Sequence, residues 1–376
     1  MKFLSPLLSL CLAFMASAHA APPAAPKIDA RAWLLVDANS GQALAAQQAD
    51  KRVEPASLTK LMTAYLSFSA LRDGRLDRNQ EVSITEAVVK APGARMFLDP
   101  RTPAKVEDLL KGMIVLSAND ASLTLAEAIA GSEADFVKLM NEQARKLGMS
   151  SSHFANATGQ AHPDHYSTAQ DLARLALALI RDFPDEYRQY YALKEFAYAG
   201  VSQPNRNRLL WMDPNIDGVK TGQTASAGYC LIASSRRDSR RLLSVVVGAS
   251  SDNARASESQ KLLNYGFQFY ETVKLYAANQ PVATLRLYKG TSSEVKAGFT
   301  RDFYITVPRG TAARLKAQII SKQPMLAPVS QGQAIATLRL SADGRPVGDY
   351  TLTALSGVGT SGLIRRAWDS LMLMLP

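Results

Sequence analysis

Apolar residues recur at two different spacings along this chain, and the change in spacing predicts the order of its helices and strands. The three-to-four-residue spacing of an amphipathic helix occurs in Pro55–Leu71, Val106–Leu147 (interrupted near Ser117–Asp120 and at Gly131), Ser167–Ile180 and Ser257–Leu275. Strand-like apolar runs lie before and after the first three of these helical segments. They are Ala32–Val36, Gln42–Ala46, Gly228–Ser235 and Leu242–Ala249. Strands at both ends and helices between them predict an α+β domain, in which helices cover an antiparallel sheet.

The pattern changes after the compositional break at Ala277–Pro281. Short alternating segments separated by Gly and Pro turns predict a small all-β domain, with strands at Val282–Tyr288, Phe303–Val307, Arg314–Ile320, Ala334–Leu340 and Asp349–Ala354. We therefore expect a first domain over 27–276, a β-rich domain over 277–358 and a separate terminal segment over 361–376.

The terminal segment Ser361–Leu375 predicts an amphipathic helix. Its apolar face consists of Ile364, Ala367, Trp368, Leu371 and Leu375. At about fifteen residues it is too short to cross a bilayer, which takes roughly 20. A peripheral anchor at a membrane surface is favoured, and packing on its own domain or on a partner stays open.

The first twenty residues predict a secretory signal peptide. Lys2 precedes the apolar run Leu4–Ala16, and Ala18-His19-Ala20 fits the small-residue cleavage rule. A lipoprotein signal at Cys11 is disfavoured because the preceding residue is a bulky leucine. The mature chain would then keep one cysteine, Cys230, in an apolar strand, where a core role is favoured over a nucleophilic one.

Composition and charge are those of a secreted globular protein. The 376 residues are 47% apolar and 20% charged, enough for two domains. Over 277–359, ten Lys and Arg face four Asp and Glu, which leaves +6 of the chain's net +10 there. Since secretion argues against nucleic acid, an anionic envelope surface is the favoured partner; an ordinary solvated surface stays open.

Three short motifs indicate the chemistry. They are Ser57-Leu58-Thr59-Lys60, Ser117-Ala118-Asn119 and Lys220-Thr221-Gly222. Each is weak alone, but their order matches serine enzymes that attack a peptide or lactam carbonyl. The first begins a predicted helix and the third precedes two predicted strands.

A serine hydroxyl needs a base within hydrogen-bond reach to become a nucleophile. Three-residue spacing on a helix brings Lys60 close to Ser57. To act as a base, Lys60 must have a pKa well below the usual value of about 10.4. Burial and a second cation both lower it, and we expect Lys220 to be that cation.

The other motif residues fit the rest of an acyl transfer. Ser117 is a candidate to relay the proton to the leaving group, and Asn119 to bind a substrate amide. Lys220 and Thr221 could grip a substrate carboxylate on a strand whose backbone pairs with an extended peptide. Arg206 is a second candidate for that carboxylate, because a guanidinium matches its geometry.

The sequence resembles the low-molecular-mass penicillin-binding proteins, specifically the D-alanyl-D-alanine carboxypeptidases. The similarity covers nearly the whole mature chain, including the β-rich region and the terminal helix, which that family uses as a membrane anchor. Besides the motifs it includes the segments 54–60, 116–121, 152–159, 205–211 and 217–224. One departure is Gln223, where several members have histidine after Lys-Thr-Gly.

The resemblance implies roles for eight residues. They are the acylated nucleophile Ser57, its base Lys60, the second-motif residues Ser117 and Asn119, the third-motif residues Lys220, Thr221 and Gly222, and the carboxylate-site residue Arg206. It further implies removal of the terminal D-alanine from peptidoglycan pentapeptide stems without a metal or other cofactor, inhibition by β-lactams, and a periplasmic protein held peripherally at the inner membrane.

Four other functions are compatible with parts of this pattern. A class A β-lactamase needs a deacylating glutamate, and no Glu-x-x-Leu-Asn lies between the second and third motifs. A murein endopeptidase is closer, but the second domain favours a carboxypeptidase. A metallopeptidase could use His162 and His165, although Pro163 spoils a helical ligand pair. A non-catalytic wall-binding protein is disfavoured by the intact motifs.

Overall fold

The computed structural model describes residues 22–374; the predicted signal peptide and Leu375 lie outside this range. Secondary structure in the first part of the chain runs in the order β1 (Ala32–Asp37), β2 (Ala43–Gln47), α1 (Lys60–Arg72), β3 (Glu81–Val82), α2 (Glu86–Val89), β4 (Ala104–Lys105), α3 (Val106–Lys111), α4 (Asn119–Ala130), α5 (Glu133–Lys146), α6 (Ala169–Asp182), α7 (Pro184–Tyr190), β5 (Glu195–Tyr198), β6 (Val201–Pro204), α8 (Leu209–Met212), β7 (Ile216–Thr224), β8 (Gly228–Arg237), β9 (Arg240–Ala249) and α9 (Asp252–Phe269).

The second part is built mainly of strands. In chain order it contains β10 (Tyr270–Tyr276), β11 (Pro281–Tyr288), β12 (Glu294–Gly298), β13 (Phe303–Pro308), β14 (Leu315–Ile320), β15 (Met325–Leu326), β16 (Ala334–Ala342), β17 (Arg345–Ala354) and α10 (Leu363–Met372). Six of the strands form one sheet in the order β14-β16-β17-β12-β11-β15, and β10 pairs with β13. The predicted β-rich region is confirmed.

An antiparallel sheet with the order β2-β1-β9-β8-β7 organises the first part. Alternate residues of β1 pack into two different apolar clusters, with Leu34 in the cluster that includes α1 and α6, and Leu35 in the cluster that includes α9. The sheet is therefore buried on both faces, and the predicted α+β fold with helix-covered antiparallel sheet is confirmed. Each fully buried leucine in these layers stabilises the fold by about 1.5–3 kcal/mol.

Most predicted elements are present within a few residues of their expected bounds. The segment predicted as a helix from Pro55 begins as a 3₁₀ turn, Ala56–Thr59, and becomes α-helical at Lys60. The predicted interruption at Ser117–Asp120 follows a π-helical turn, Gly112–Leu116. Helix α6 begins after the N-cap residue Thr168, whose hydroxyl accepts a hydrogen bond from the Asp171 N–H.

One predicted helix end is wrong. The helix expected over Ser257–Leu275 spans Asp252–Phe269, and the next seven residues form β10. Backbone pairing with β13, in which Thr272 lies opposite Thr306, replaces the helical hydrogen bonds. The apolar residues Val273 and Leu275 were counted as part of the helical pattern. Their two-residue spacing equally suits a β-strand, and both pack against the core of the β-rich region.

Candidate active site

Ser57 lies in the 3₁₀ turn that leads directly into the buried helix α1. The edge strand β7 runs beside this turn, and Gly222 is the point of close approach. A Cβ at position 222 would lie 3.2 Å from the Pro55 carbonyl oxygen and 3.3 Å from the Ala56 Cβ. A side chain at position 222 would make these neighbours shift by a few tenths of an ångström, so glycine favours the close approach of the third motif to Ser57.

Lys60 is almost completely buried, with 1% of its surface exposed, and its Nζ has three polar neighbours. It lies 3.2 Å from Ser57 Oγ, 2.7 Å from Asn119 Oδ1 and 2.6 Å from the Thr158 carbonyl oxygen. Two of these neighbours can only accept hydrogen bonds. A neutral amine has two N–H bonds for the two carbonyl oxygens, so its lone pair is left to face the Ser57 hydroxyl.

The environment of Lys60 favours that neutral form. Burial, followed by repulsion from the positive charge of Arg206, lowers the pKa of Lys60 from 10.5 to about 7, while Asp120 acts in the opposite direction. The second cation expected from the sequence was Lys220. Repulsion between the two lysines lowers the pKa of Lys220, and the charge that lowers the pKa of Lys60 is that of Arg206.

Asn119 is the first residue of α4, and both its side-chain amide and its backbone N–H are fixed by hydrogen bonds. Its Nδ2 donates to the Pro92 carbonyl oxygen at 2.6 Å, and its backbone N–H donates to the Ala94 oxygen at 2.7 Å. These bonds turn Oδ1 towards Lys60. The residue expected to bind a substrate amide therefore also orients the base.

Ser117 has a left-handed backbone, with φ at 62°, at the end of the π-helical turn. Its side chain is 4% exposed, and its Oγ has no hydrogen-bond partner within residues 22–374. Both a non-glycine residue in this conformation and an unpaired buried hydroxyl are costly. Such costs are typical of a group held ready for a substrate.

The third motif lies on β7, the last strand in the sheet order. Lys220 is buried, and its Nζ donates to the Thr221 carbonyl oxygen at 3.2 Å. Burial, followed by repulsion from Lys60, Arg206 and Arg255, lowers the pKa of Lys220 well below its usual value. An arriving carboxylate would relieve this repulsion and favour protonation of the amine.

The motifs meet at a cavity of about 470 Å³. Six of the eight predicted site residues line it, namely Ser57, Ser117, Asn119, Arg206, Thr221 and Gly222. The remaining two, Lys60 and Lys220, are buried beside it. The fold therefore brings all eight predicted residues to one place.

Four features of the site were not predicted individually. Thr158 supplies a backbone oxygen to Lys60, and Asp120 accepts backbone N–H bonds from the segment 96–98. Gly159 has a φ of +87°, and a Cβ there would lie 1.8 Å from the Ala56 oxygen. Arg255 donates to the backbone oxygens of Gly222 and Arg206 at 3.2 and 3.4 Å. Asp120, Thr158 and Gly159 carried a signal through the family resemblance of 116–121 and 152–159, whereas Arg255 carried none.

Two residues singled out in the sequence, His165 and Cys230, are buried in surroundings that favour a structural role. His165 is buried, its Nε2 lies 2.8 Å from Thr59 Oγ1, and its Nδ1 accepts from the Ala155 N–H at 3.3 Å. Burial lowers the pKa of His165 from 6.5 to about 4. Cys230 is buried on β8, and burial raises the pKa of its thiol, which disfavours nucleophilic chemistry.

Known proteins share both the sequence and the fold. Residues 18–251 match the family described as D-alanyl-D-alanine carboxypeptidase, and 270–360 match the C-terminal domain of penicillin-binding protein 5. The D-alanyl-D-alanine carboxypeptidase DacC of Escherichia coli K12 is 41% identical over 357 residues, which cover 93% of this chain and 89% of that protein.

Solved structures of penicillin-binding proteins have the same fold as this chain. Penicillin binding protein 5 from Haemophilus influenzae superposes with a TM-score of 0.86 at 38% identity, over 89% of this chain and 99% of that one. Penicillin-binding protein D2 from Listeria monocytogenes in its ampicillin-bound form gives a TM-score of 0.60 at 33% identity, over 65% of this chain and 99% of that one. This chain therefore belongs to the D-alanyl-D-alanine carboxypeptidase family of low-molecular-mass penicillin-binding proteins, which are serine-type hydrolases.

Proposed function

We propose that Ser57 is the residue acylated in this D-alanyl-D-alanine carboxypeptidase, and that Lys60 is its base. The contact between Lys60 Nζ and Ser57 Oγ carries the proposal, since the two carbonyl acceptors leave only the lone pair for the hydroxyl. The substrate is a peptidoglycan pentapeptide stem ending in D-alanyl-D-alanine.

The reaction has two halves. In the first, Ser57 Oγ bonds to the carbonyl carbon between the two D-alanines, its proton passes to Lys60, and the amide C–N bond breaks as the leaving amine takes up a proton through Ser117. In the second, water attacks the ester, which releases the shortened stem and restores the Ser57 hydroxyl. The backbone N–H groups around the 3₁₀ turn and strand β7 are the candidates to stabilise the oxyanion in both halves.

The terminal carboxylate of the substrate orients the peptide. Thr221 and Arg206 line the cavity, and Lys220 lies beside it. These groups supply a hydroxyl and two basic side chains on the side of the cavity formed by β7 and the segment before it. Because β7 is the last strand in the sheet order, its outer edge suits pairing with an extended stem.

Mass spectrometry after incubation with a β-lactam tests the nucleophile. We expect one adduct, on Ser57, and none in the Ser57→Ala variant. The Ser69→Ala variant, the same kind of change on the following helix α1, should keep the adduct. An adduct on another residue, or none, would contradict the assignment.

Release of D-alanine separates this activity from that of a β-lactamase. The enzyme should liberate free D-alanine from a peptide ending in D-alanyl-D-alanine, and its β-lactam adduct should persist far longer than one turnover of the peptide. Fast hydrolysis of the β-lactam without D-alanine release would favour the lactamase alternative.

Export and membrane attachment form a second part of the proposal. Residues 1–20 act as the signal peptide, and α10 attaches the periplasmic protein to the inner membrane surface. The apolar side chains of α10 support this, because Leu363 is 81%, Ile364 90% and Trp368 62% exposed. No helix within residues 22–374 is long and apolar enough to cross a membrane, so attachment through α10 would be peripheral.

Sedimentation with vesicles containing anionic lipid tests the anchor. The protein with residues 1–20 removed should sediment with the vesicles, and the same protein lacking 361–376 should stay in the supernatant. A variant with Arg365 and Arg366 changed to glutamine would show how much the charges contribute. Equal sedimentation with and without 361–376 would exclude α10 as the anchor.

The domain division is also proposed from the sequence, with a catalytic domain over 27–276, a β-rich domain over 277–358 and the anchor segment over 361–376. Strand β10 follows α9 without a break and pairs with β13, so it joins the two domains. Limited proteolysis that yields a stable, β-lactam-binding fragment ending near residue 276 would support the division; cleavage within 30–260 alone would contradict it.

A further inference from the structure

A second cavity, of about 720 Å³, meets the active-site cavity at Ala161, which lines both. Its walls come from Arg31, from the segment 51–54 that leads into the Ser57 turn, and from the segment 161–166. None of the candidates for the terminal carboxylate of the substrate lines it. We call it the basic cavity, and removal of the terminal D-alanine gives it no occupant.

The burial of β7 shows which way a paired peptide can run. Towards its start the strand is closed, since Ile216 and Val219 are buried, whereas Gln223 is exposed and Thr224 half-buried. A peptide whose terminal D-alanine is held at Thr221 therefore continues past Gln223 and Thr224. At about 3.3 Å per residue, the third residue before the terminal D-alanine lies about 10 Å further on, which is beyond the end of β7.

Glu54 joins the end of β7 to the basic cavity. It lines that cavity, and its Oε2 accepts hydrogen bonds from Ser226 Oγ at 2.6 Å and from Thr224 Oγ1 at 3.4 Å. Arg31, on the same wall, donates to the Ser226 carbonyl oxygen at 2.5 Å. The basic cavity therefore begins where β7 ends, in the path of the part of the peptide that becomes the acyl group.

The charges around this cavity favour an anionic occupant. Arg31, Lys51 and Arg52 line it against two carboxylates, Glu54 and Asp164. The ion pairs formed within residues 22–374 include none of these three cations. A positive charge is therefore left in excess, which suits a peptide carboxylate.

Arg52 is oriented before any ligand arrives. Its guanidinium carbon lies 4.1 Å from the centre of the Tyr166 ring, and the Tyr166 backbone N–H is fixed by a bond of 3.0 Å to the His153 carbonyl oxygen. Stacking holds the guanidinium plane and leaves its N–H edge available for the two oxygens of a carboxylate. Less conformational freedom is lost on binding than a free arginine would lose.

We propose that the basic cavity binds a free carboxylate on the acyl half of the stem peptide, carried by the third residue before the terminal D-alanine. Peptides with this carboxylate are then better substrates than matched peptides without it. The selection acts on the half of the substrate that stays on Ser57 and not on the leaving amino acid. This inference rests on the proposed function, because the grip on the terminal carboxylate sets the direction of the peptide.

Two peptides that differ in one functional group test it. Both are N-acetyl-γ-D-glutamyl-L-lysyl-D-alanyl-D-alanine, and the α-carboxylate of the glutamyl residue is free in the first and a carboxamide in the second. We expect kcat/KM for D-alanine release to be about fivefold higher for the carboxylate peptide. This ratio should fall towards one between about 50 and 500 mM sodium chloride, since the cations are exposed.

Arg52→Gln should bring the ratio of the two kcat/KM values to within about twofold of one. Lys51→Gln should lower the ratio as well and provides an independent variant if Arg52→Gln folds poorly. Arg345→Gln is the matched control, because Arg345 is an exposed arginine on β17, and it should leave the ratio unchanged.

The possible failures are distinguishable. Equal cleavage of the two peptides by the unaltered protein would overturn the inference, as would a preference for the carboxylate that survives both Arg52→Gln and Lys51→Gln. Either result leaves Ser57 as the nucleophile. Cleavage of neither peptide, with no β-lactam adduct on Ser57, would instead overturn the proposed function.

Discussion

The rate of acylation of Ser57 should increase as Lys60 loses its proton, and replacing Arg206 by glutamine should shift this increase to higher pH. The proposed base is the neutral amine, so the rate should rise as pH increases through the pKa of Lys60. That pKa is about 7, lowered first by burial and then by the charge of Arg206. Removing the charge takes away the second cause and leaves the first.

The size of the effect follows from the displaced pKa. A lysine with a pKa of 10.5 would be neutral in roughly 3 of 10,000 molecules at pH 7, whereas one with a pKa of about 7 is neutral in about half of them. The environment therefore increases the reactive fraction by about 10³, equivalent to roughly 4 kcal/mol. A single nearby charge accounts for about one pKa unit of such a displacement, so Arg206→Gln should move the midpoint from about 7 to about 8.

The assay is the second-order rate constant for acylation by a β-lactam, measured between pH 5 and 9. Arg206 is also a proposed partner of the substrate carboxylate, so Arg206→Gln should lower the rate at every pH, and the diagnostic quantity is the midpoint. Arg206→Lys keeps the charge but loses the planar fork, and should keep the midpoint of the unaltered protein. An unchanged midpoint in Arg206→Gln, or equal shifts in both variants, would refute the role of the Arg206 charge. A profile without a limb near pH 7 would refute Lys60 as the base.

Three further predictions concern the surroundings of the site. Gly159→Ala should lower the free energy of unfolding by about 2–4 kcal/mol and slow acylation, because its Cβ would displace the Ala56 carbonyl. Gly131→Ala, with similar φ but open space, should lose only about 1 kcal/mol in urea titration and keep full acylation. Stability should fall by up to roughly 3 kcal/mol between pH 6.5 and 4, since the unfolded chain protonates His165 before the folded protein does; His165→Gln should flatten that pH dependence of urea unfolding. The buried Cys230 thiol should react with an aromatic disulfide reagent only after unfolding, and rapid reaction of the native protein would contradict its burial.

The parts of the site that sequence could predict are those set by short-range geometry. Ser57 and Lys60 are three residues apart at the start of a helix, so their contact follows from spacing alone. The order of strands and helices follows similarly from apolar periodicity. The family resemblance then assigned Arg206 and the second motif to the same site.

The parts that escaped prediction depend on long-range packing. The carbonyl oxygen that fixes Lys60 belongs to Thr158, 98 residues away, and a backbone oxygen leaves no residue type to recognise. Arg255 lies on a helix whose predicted start was five residues late. The charge that lowers the pKa of Lys60 is that of Arg206, whereas the sequence had suggested Lys220, because the packing of distant segments decides which charges lie near the amine.

Two buried lysines explain why the site lies between the helical layer and the edge of the sheet. At neutral pH the unfolded chain holds both amines protonated, whereas the folded protein disfavours the charge on each, so folding must displace protons as well as water. The apolar clusters on both faces of the sheet provide the opposing stabilisation. A looser site on a surface loop would admit water and return Lys60 towards its ordinary pKa, with a loss of the neutral base. The same packing that makes these residues costly for stability is therefore what makes Ser57 reactive.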